Sequence, residues 1–443
     1  MTAASLLSPD LIRTRFSQAM SVMYRQEVPQ YGTLLELVAE VNAGQPGFSQ
    51  DSAERLDLER HGAIRVGTAD ELATLRRLFA VMGMQPVGYY DLSVAGVPVH
   101  STAFRPVEPA ALQANPFRVF TSLLRLELIE DAELRQLAEK VLNERRIFTP
   151  GALELIERAE AQGGLTDAEA DAFVQEVLET FRWHREANVD AGLYGRLHDA
   201  HRLIADVVCF KGPHINHLTP RTLDIDAVQA RMPACGIAPK ETIEGPPRRQ
   251  CPILLRQTSF KALEEPILFQ GKVQGSHTAR FGEIEQRGVA LTPAGRQRYD
   301  ELLQEVRQRS KTAGSDYATV LAEVFQALPD TWDELRRQGL AWFRYRAAQG
   351  AGSGVETTDT EALIAAGQLI ADPITYEDFL PVSAAGIFQS NLGASSQQEY
   401  QSGGNRAAFE SALGAPVLDE MTLYERQQRE SLTAALAALG RPA

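Results

Sequence analysis

The spacing of apolar positions divides the chain into alternating helical and strand-rich stretches. Residues 8–60 carry helical spacing: SPDLIRTRFSQAMSVMYRQ opens on a capping Ser8 with Pro9 in its first turn. TLLELVAEVNAG keeps the same period and ends on a glycine stop. HGAIRVG then sets His61, Ala63 and Arg65 against Ile64 and Val66, the period of a strand. TADELATLRRLFAVMGM predicts a helix capped by Thr68, with Leu72, Leu75, Leu78, Phe79 and Met82 on one face. PVGYYDLSV and VPVHSTAF follow as strands.

Residues 108–208 change character. ALQANPFRVFTSLLRLELI, DAELRQLAEKVL, PGALELIERAEAQG and DAEADAFVQEVLETFRWH predict amphipathic helices, an insertion of helical character between two β-rich runs. The second run starts at HINHLTPRTLDIDAVQARMPACGI, where a strand passes into a helix near Asp224. KETIEGPP, ILLRQTSFKAL, EPILFQGKV and HTARFGEIEQRG then read as strands. From Leu291 the chain is mainly helical, interrupted by the loop-like GAGSGVETTDT and by an aromatic stretch broken at Pro381 and Gly386.

The fold class expected is α+β. N-terminal helices over 1–60 precede a βαβββ module over 61–107; the helical insertion over 108–208 separates it from a second module over 209–290. The region 291–443 closes the site. The paired modules resemble those of vicinal-oxygen-chelate enzymes, and the resemblance implies that they form one β cup. The charge balance of 58 acidic against 44 basic residues, net −14, argues against nucleic-acid binding and leaves room for a local pocket for an anionic metabolite. Three cysteines without a CxxC spacing fit a reducing cytoplasm. The N-terminus has no secretory pattern, and no apolar run reaches the roughly 18 residues of a membrane span.

Two histidines and a carboxylate are what a non-haem Fe(II) centre needs, because they hold the metal on one side and leave the other open. His61, His217 and Glu285 supply such a set, each at a strand end. His214 competes with His217, and Glu283 shares a strand face with Glu285; the pattern leaves both pairs open. Arg65 shares the face of His61 and suits a two-pronged contact with a substrate carboxylate. His198 and His201, like His100 and His184, read as ordinary polar positions.

ERHGAIRVG, GPHINHLTPR, RFGEIEQRG and YEDFLPVSAAGIFQSNL resemble the 2-oxoadipate dioxygenase/decarboxylase family, over nearly the whole chain. The resemblance implies an Fe(II) enzyme of the vicinal-oxygen-chelate type that converts 2-oxoadipate and O₂ to (R)-2-hydroxyglutarate and CO₂ in bacterial lysine catabolism. It implies metal ligation by His61, His217 and Glu285, catalysis and substrate binding by Arg65, and contact of Val382 and Ser383 with the far end of the substrate. A ring-cleaving dioxygenase or a glyoxalase-type lyase is the competing reading, and a non-enzymatic binding protein of the same fold is a third.

Overall fold

The computed structural model describes residues 5–45, 53–240, 242–313, 316–349, 357–380 and 405–441. Its centre is a five-stranded sheet in the order β2-β3-β4-β1-β5. The strands are β1 (Arg60–Val66), β2 (Gln85–Asp91), β3 (Val99–Arg105), β4 (Arg118–Leu124) and β5 (Leu218–Pro220). β1 runs parallel to β4 and antiparallel to β5; the other neighbours are antiparallel. A long hairpin of β6 (Leu255–Leu268) and β7 (Gln274–Arg287) continues this surface, because Arg221 bridges Glu285 in parallel and Thr222 N–H donates to the Glu285 carbonyl at 2.8 Å. On the outer side of β6, Pro239 and Glu244 bridge Phe260 and Gln257. A small hairpin of β8 (Phe343–Ala347) and β9 (Leu369–Pro373) lies in the C-terminal part.

The alternation in β1 does what its sequence predicts. Ile64 and Val66 enter a core built with the helices Pro9–Glu27, Ala69–Val81 and Asp167–Phe181, whose Phe16, Leu75, Phe79 and Phe173 are fully buried. His61, Ala63 and Arg65 face the other way. The helix Ala69–Val81 starts where expected: Thr68 Oγ1 accepts the N–H of Glu71. In β7, Gly282 lies under the Phe260 ring, where a Cβ would stand 1.5 Å from the nearest ring carbon. A larger residue there would push Phe260 away and shift the strand beside Glu283.

Several elements differ from expectation. ALQANPFRVFTSLLRLELI is not one helix. A short helix, Pro109–Ala114, stops before Asn115-Pro116, and β4 follows. Every residue of β4 is buried, so it lacks the alternation that marks a half-exposed strand. The first strand run therefore extends to Leu124, and the helical stretch begins after it. Most of ILLRQTSFKAL and the start of EPILFQGKV form the single strand β6, and residues 269–273 make the hairpin turn. AWFRYR leaves the preceding helix at Gly339, whose φ of +63° suits glycine, and becomes β8. Among the described residues no helix is long and apolar enough to cross a membrane.

Beneath the site face runs a buried charge network. Glu59 accepts from Arg118 Nη2 at 2.9 Å and from Arg221 Nη1 at 3.0 Å, with Arg55 Nε at 3.4 Å. Glu377 takes Arg55 Nη2 at 2.6 Å and is also paired with Arg118. Arg287 grips Glu285 through Nε and Nη2, both at 2.9 Å, and donates Nη1 to the carbonyls of Tyr376 and Asp378. Arg105 holds Asp378 at 2.7 and 2.9 Å. Burial by itself would raise the pKa of Glu377, but Arg55 and Arg118 outweigh it and hold it down to about 2. Glu59 is held well below the carboxylate range in the same way, chiefly by Arg221, Arg55 and Arg118.

Removing one charge strands its partners, so Glu59→Gln should cost about 3–5 kcal/mol in urea unfolding; a loss below about 1 kcal/mol would mean that the network is replaceable. The depressed carboxylates bind protons more weakly folded than unfolded. Their contribution is complete above the ordinary value of 4.5 and is lost as pH falls through the folded value of about 2 for Glu377. The urea midpoint should therefore drop steadily across that window, and less steeply in Glu59→Gln.

Candidate metal and active site

His61 opens the site from β1, in register with Thr219 of β5 and Arg118 of β4. Its imidazole is fully buried between two carboxylates of β7. Nε2 lies 3.0 Å from Glu283 Oε1. Nδ1 lies 2.9 Å from Glu285 Oε2, at an angle that misses hydrogen-bond geometry. Burial opposes charge on His61, but Glu285 and Glu283 outweigh that cost and raise its pKa. The His217 ring stands edge-on to His61, centroids 5.2 Å apart, and the Phe379 ring covers His61 from another side at 5.0 Å.

His217, Thr219 and Glu283 form a short chain. Thr219 Oγ1 donates to Glu283 Oε1 at 3.2 Å and lies 2.9 Å from His217 Nδ1. With the hydroxyl proton committed to the carboxylate, Nδ1–H of His217 is the donor to Oγ1, and the lone pair falls on Nε2. Burial pushes the His217 pKa down to about 4, against the pull of Glu283, so the ring is neutral and ligand-competent at neutral pH. Gln257 Nε2 also donates to Glu283 Oε1, at 2.8 Å.

His61, His217 and Glu283 each offer a donor atom within 4.8 Å of the other two. This group contains His217 and not His214, whose Nε2 lies 3.4 Å from Asp206. The two carboxylates left open by the sequence are thus both at the site, in different positions. Glu283 approaches His217, with 4.0 Å from Oε1 to Nδ1. Glu285, the carboxylate implied by the resemblance, sits against the other nitrogen of His61 and in the grip of Arg287. Both have lowered pKa values: burial would raise them, but His217 and His61 outweigh it at Glu283, and Arg287 and His61 at Glu285. The donor set of two imidazoles and a carboxylate, neutral histidine included, fits Fe(II).

Arg65 projects from β1 on the face of His61, and its Nη1 donates to Asp206 Oδ2 at 2.9 Å. Val382 and Ser383 lie outside the described residues. The sequence reading missed Arg118, Arg287, Glu59, Thr219, Gln257 and Asp206. One signal was present: arginine inside the apolar FRVF, and Glu-x-Glu-x-Arg on one face of β7, are charges in strands with no exposed face to hold them.

A sheet extended by a long hairpin, with two buried histidines and paired carboxylates at the junction, defines a candidate metal-dependent enzyme site. The chain belongs to the 2-oxoadipate dioxygenase/decarboxylase family, whose model matches residues 16–391. It is 61% identical to the 2-oxoadipate dioxygenase/decarboxylase of Escherichia coli (strain K12), over 97% of this chain and 98% of that one. It is 59% identical to the one of Pseudomonas putida, over 99% of each. Among solved structures it resembles the hydroxyglutarate synthase of Pseudomonas putida in complex with 2-oxoadipate: 58% identity, TM-score 0.91, covering 99% of this chain and 100% of that one. A glyoxalase superfamily protein from Ralstonia eutropha JMP134, 18% identical with TM-score 0.50 over 64% of this chain and 85% of that one, shares the fold.

Thr219 fixes both His217 and Glu283, so Thr219→Val should weaken divalent-metal binding about 10–100-fold. Calorimetric titration of metal-free protein with Co²⁺ measures it; unchanged affinity would remove Thr219 from the site's support.

Proposed function

We propose that this protein is an Fe(II) enzyme that converts 2-oxoadipate and O₂ to (R)-2-hydroxyglutarate and CO₂, a step of lysine catabolism. The buried cluster of His61, His217 and the β7 carboxylates, in a chain of this family, carries the reading. The relative solved with 2-oxoadipate supports the substrate class. The atoms balance without a further reductant: both oxygens of O₂ end in the products. The cytoplasm is the proposed compartment, consistent with cysteines 209, 235 and 251 all being unpaired.

The fold reading that goes with it is a pair of βαβββ modules sharing one cup. In the first, β1, the helix Ala69–Val81, β2, β3 and β4 pair in the order β1-β4-β3-β2. The second repeats that order with β5, the helix Ile225–Arg231, residues 239–244, β6 and β7. In each, the first strand meets the last in parallel. The ligands then come from the first strand of one module, the approach to the first strand of the next, and that module's last strand.

When bound, iron supplies a Lewis-acidic anchor for the 2-oxo acid and the electrons that activate O₂. His61 and His217 hold it, with the third position taken from the Glu283–Glu285 pair. The resemblance assigns that position to Glu285; the grouping of one donor atom each from His61, His217 and Glu283 within 4.8 Å favours Glu283. The carboxylate that does not ligate stays against His61 and orients its ring. Phe379 and Phe120, 5.4 Å apart by ring centroids, keep water from the His61 side. Arg65 takes the distal carboxylate of the dicarboxylic substrate, which fixes the direction in which the chain lies.

Anaerobic Fe(II) loading followed by O₂ uptake tests the activity. Equimolar O₂ consumption, CO₂ and 2-hydroxyglutarate are expected with 2-oxoadipate. Turnover without O₂ would favour a glyoxalase-type lyase. In Glu283→Gln and Glu285→Gln, one variant should lose bound iron and the other retain it with slower turnover; iron kept in both would remove the carboxylate ligand. A charge-assisted contact sets the scale for Arg65→Ala at about 10–100-fold in kcat/KM, with Arg65→Lys restoring part. Equal turnover of 2-oxohexanoate and 2-oxoadipate by the native protein would show that the distal carboxylate is not read.

A further inference from the structure

The helical stretch ends in two helices, Ala191–Ala200 and Arg202–Val208. Asp206 comes from the second, with 8% of its side chain exposed. Its two oxygens have separate partners. Oδ2 accepts from Arg65 Nη1 at 2.9 Å, and Oδ1 pairs with His277 Nε2 at 3.0 Å. An ionised carboxylate can only accept, so Nε2 of His277 carries a proton. On the other side of the ring, Nδ1 is hydrogen-bonded to the Tyr194 hydroxyl, 2.8 Å away on the first helix. His214 Nε2 lies 3.4 Å from Oδ1 as well. The Trp183 ring is parallel to His277 at 6.3 Å and edge-on to His214 at 4.7 Å. Burial opposes charge on Asp206, but His214, His277 and Arg65 outweigh it, so it is ionised.

Arg65 is the outermost member of this chain. Its side chain is 16% exposed, and among the described residues its one hydrogen bond is to Asp206. A guanidinium has five donors in a rigid fork. Asp206 engages one nitrogen, which stops rotation of the fork and leaves its opposite edge for a carboxylate.

We propose that Asp206 is a positioning residue for substrate recognition: it holds Arg65 so that the guanidinium meets the distal carboxylate of the 2-oxo acid with both prongs. The inference rests on the reading of Arg65 given above. Tyr194 and His277 hold Asp206 in turn, which gives the helical stretch a part in the site. The sign of the effect separates positioning from charge. As a bare negative charge, Asp206 would repel the substrate, and its removal would tighten binding. As a positioning residue, its removal loosens binding.

Steady-state kinetics on iron-loaded Asp206→Asn, Tyr194→Phe, Arg65→Ala and the Arg65→Ala/Asp206→Asn pair test the proposal. Loss of a charge-assisted contact sets the scale, so Asp206→Asn should raise KM for 2-oxoadipate about tenfold, with kcat and iron content little changed. Tyr194→Phe should move KM the same way by less. The inhibition constant of 2-oxohexanoate, which lacks the distal carboxylate, should not move. Asp206→Asn should add nothing once Arg65 is alanine. An unchanged or lowered KM in both Asp206→Asn and Tyr194→Phe overturns the proposal, as does an equal loss for 2-oxohexanoate. If Arg65→Ala itself leaves KM unchanged, the reading of Arg65 fails and the positioning role with it. A raised KM in Arg65→Ala beside an unchanged Asp206→Asn overturns the positioning role alone.

Discussion

Glu59 is buried, and so are Arg118, Arg221, Arg287 and Glu285 around it. Charges moved from water into a protein interior cost several kcal/mol each unless they meet partners in good geometry. Here the partners come from stretches far apart in the chain: Arg55 and Glu59 before β1, Arg118 in β4, Arg221 after β5, Glu285 and Arg287 in β7, and Glu377 after β9. Each can be buried when the others are in place. The network thus ties the first strand run, the hairpin and the C-terminal part to one another, and it does so directly beneath the candidate metal site.

The consequence for the site is preorganisation. Glu285 is fixed by Arg287 from behind, while Glu283 is fixed by Gln257 and Thr219. His61 lies between them, and its ring position is set by both carboxylates and by the Phe379 ring. A cation entering there meets ligands already near one another and anionic. On the opposite side of the same strand face, Arg65 offers a positive group toward solvent, steadied by Asp206. The site is therefore polar in two halves: a dry, anionic half suited to a metal, and a partly open, cationic edge suited to a carboxylate.

Much of this was legible in the sequence. The strand period of HGAIRVG, the capped helix after it and the strand character of ARFGEIEQRG are local signals, fixed by side-chain alternation and capping chemistry. Those signals were enough to name His61, the HINH segment and the carboxylates of β7, since residue type and strand-end position already point to metal chemistry. The family resemblance came from the same short segments, and the relatives bear it out.

The remainder depended on contacts that local pattern does not encode. β4 is buried on both faces between β1 and β3, so its apolar run has neither strand nor helix period, and its place in the sheet appears once its neighbours are paired. His217 and His214 are three residues apart, and their separation into a metal group and an Asp206 group comes from which side of the site each reaches. The carboxylates of β7 share one strand face, as their spacing required, yet their different neighbours, His217 for one and Arg287 for the other, are set by the packing of β5 and the C-terminal part. The sequence by itself determined which side chains can do the chemistry, because donor type and strand alternation are local properties. The tertiary structure decided which of them meet, because a buried charge takes its position from partners that lie hundreds of residues away.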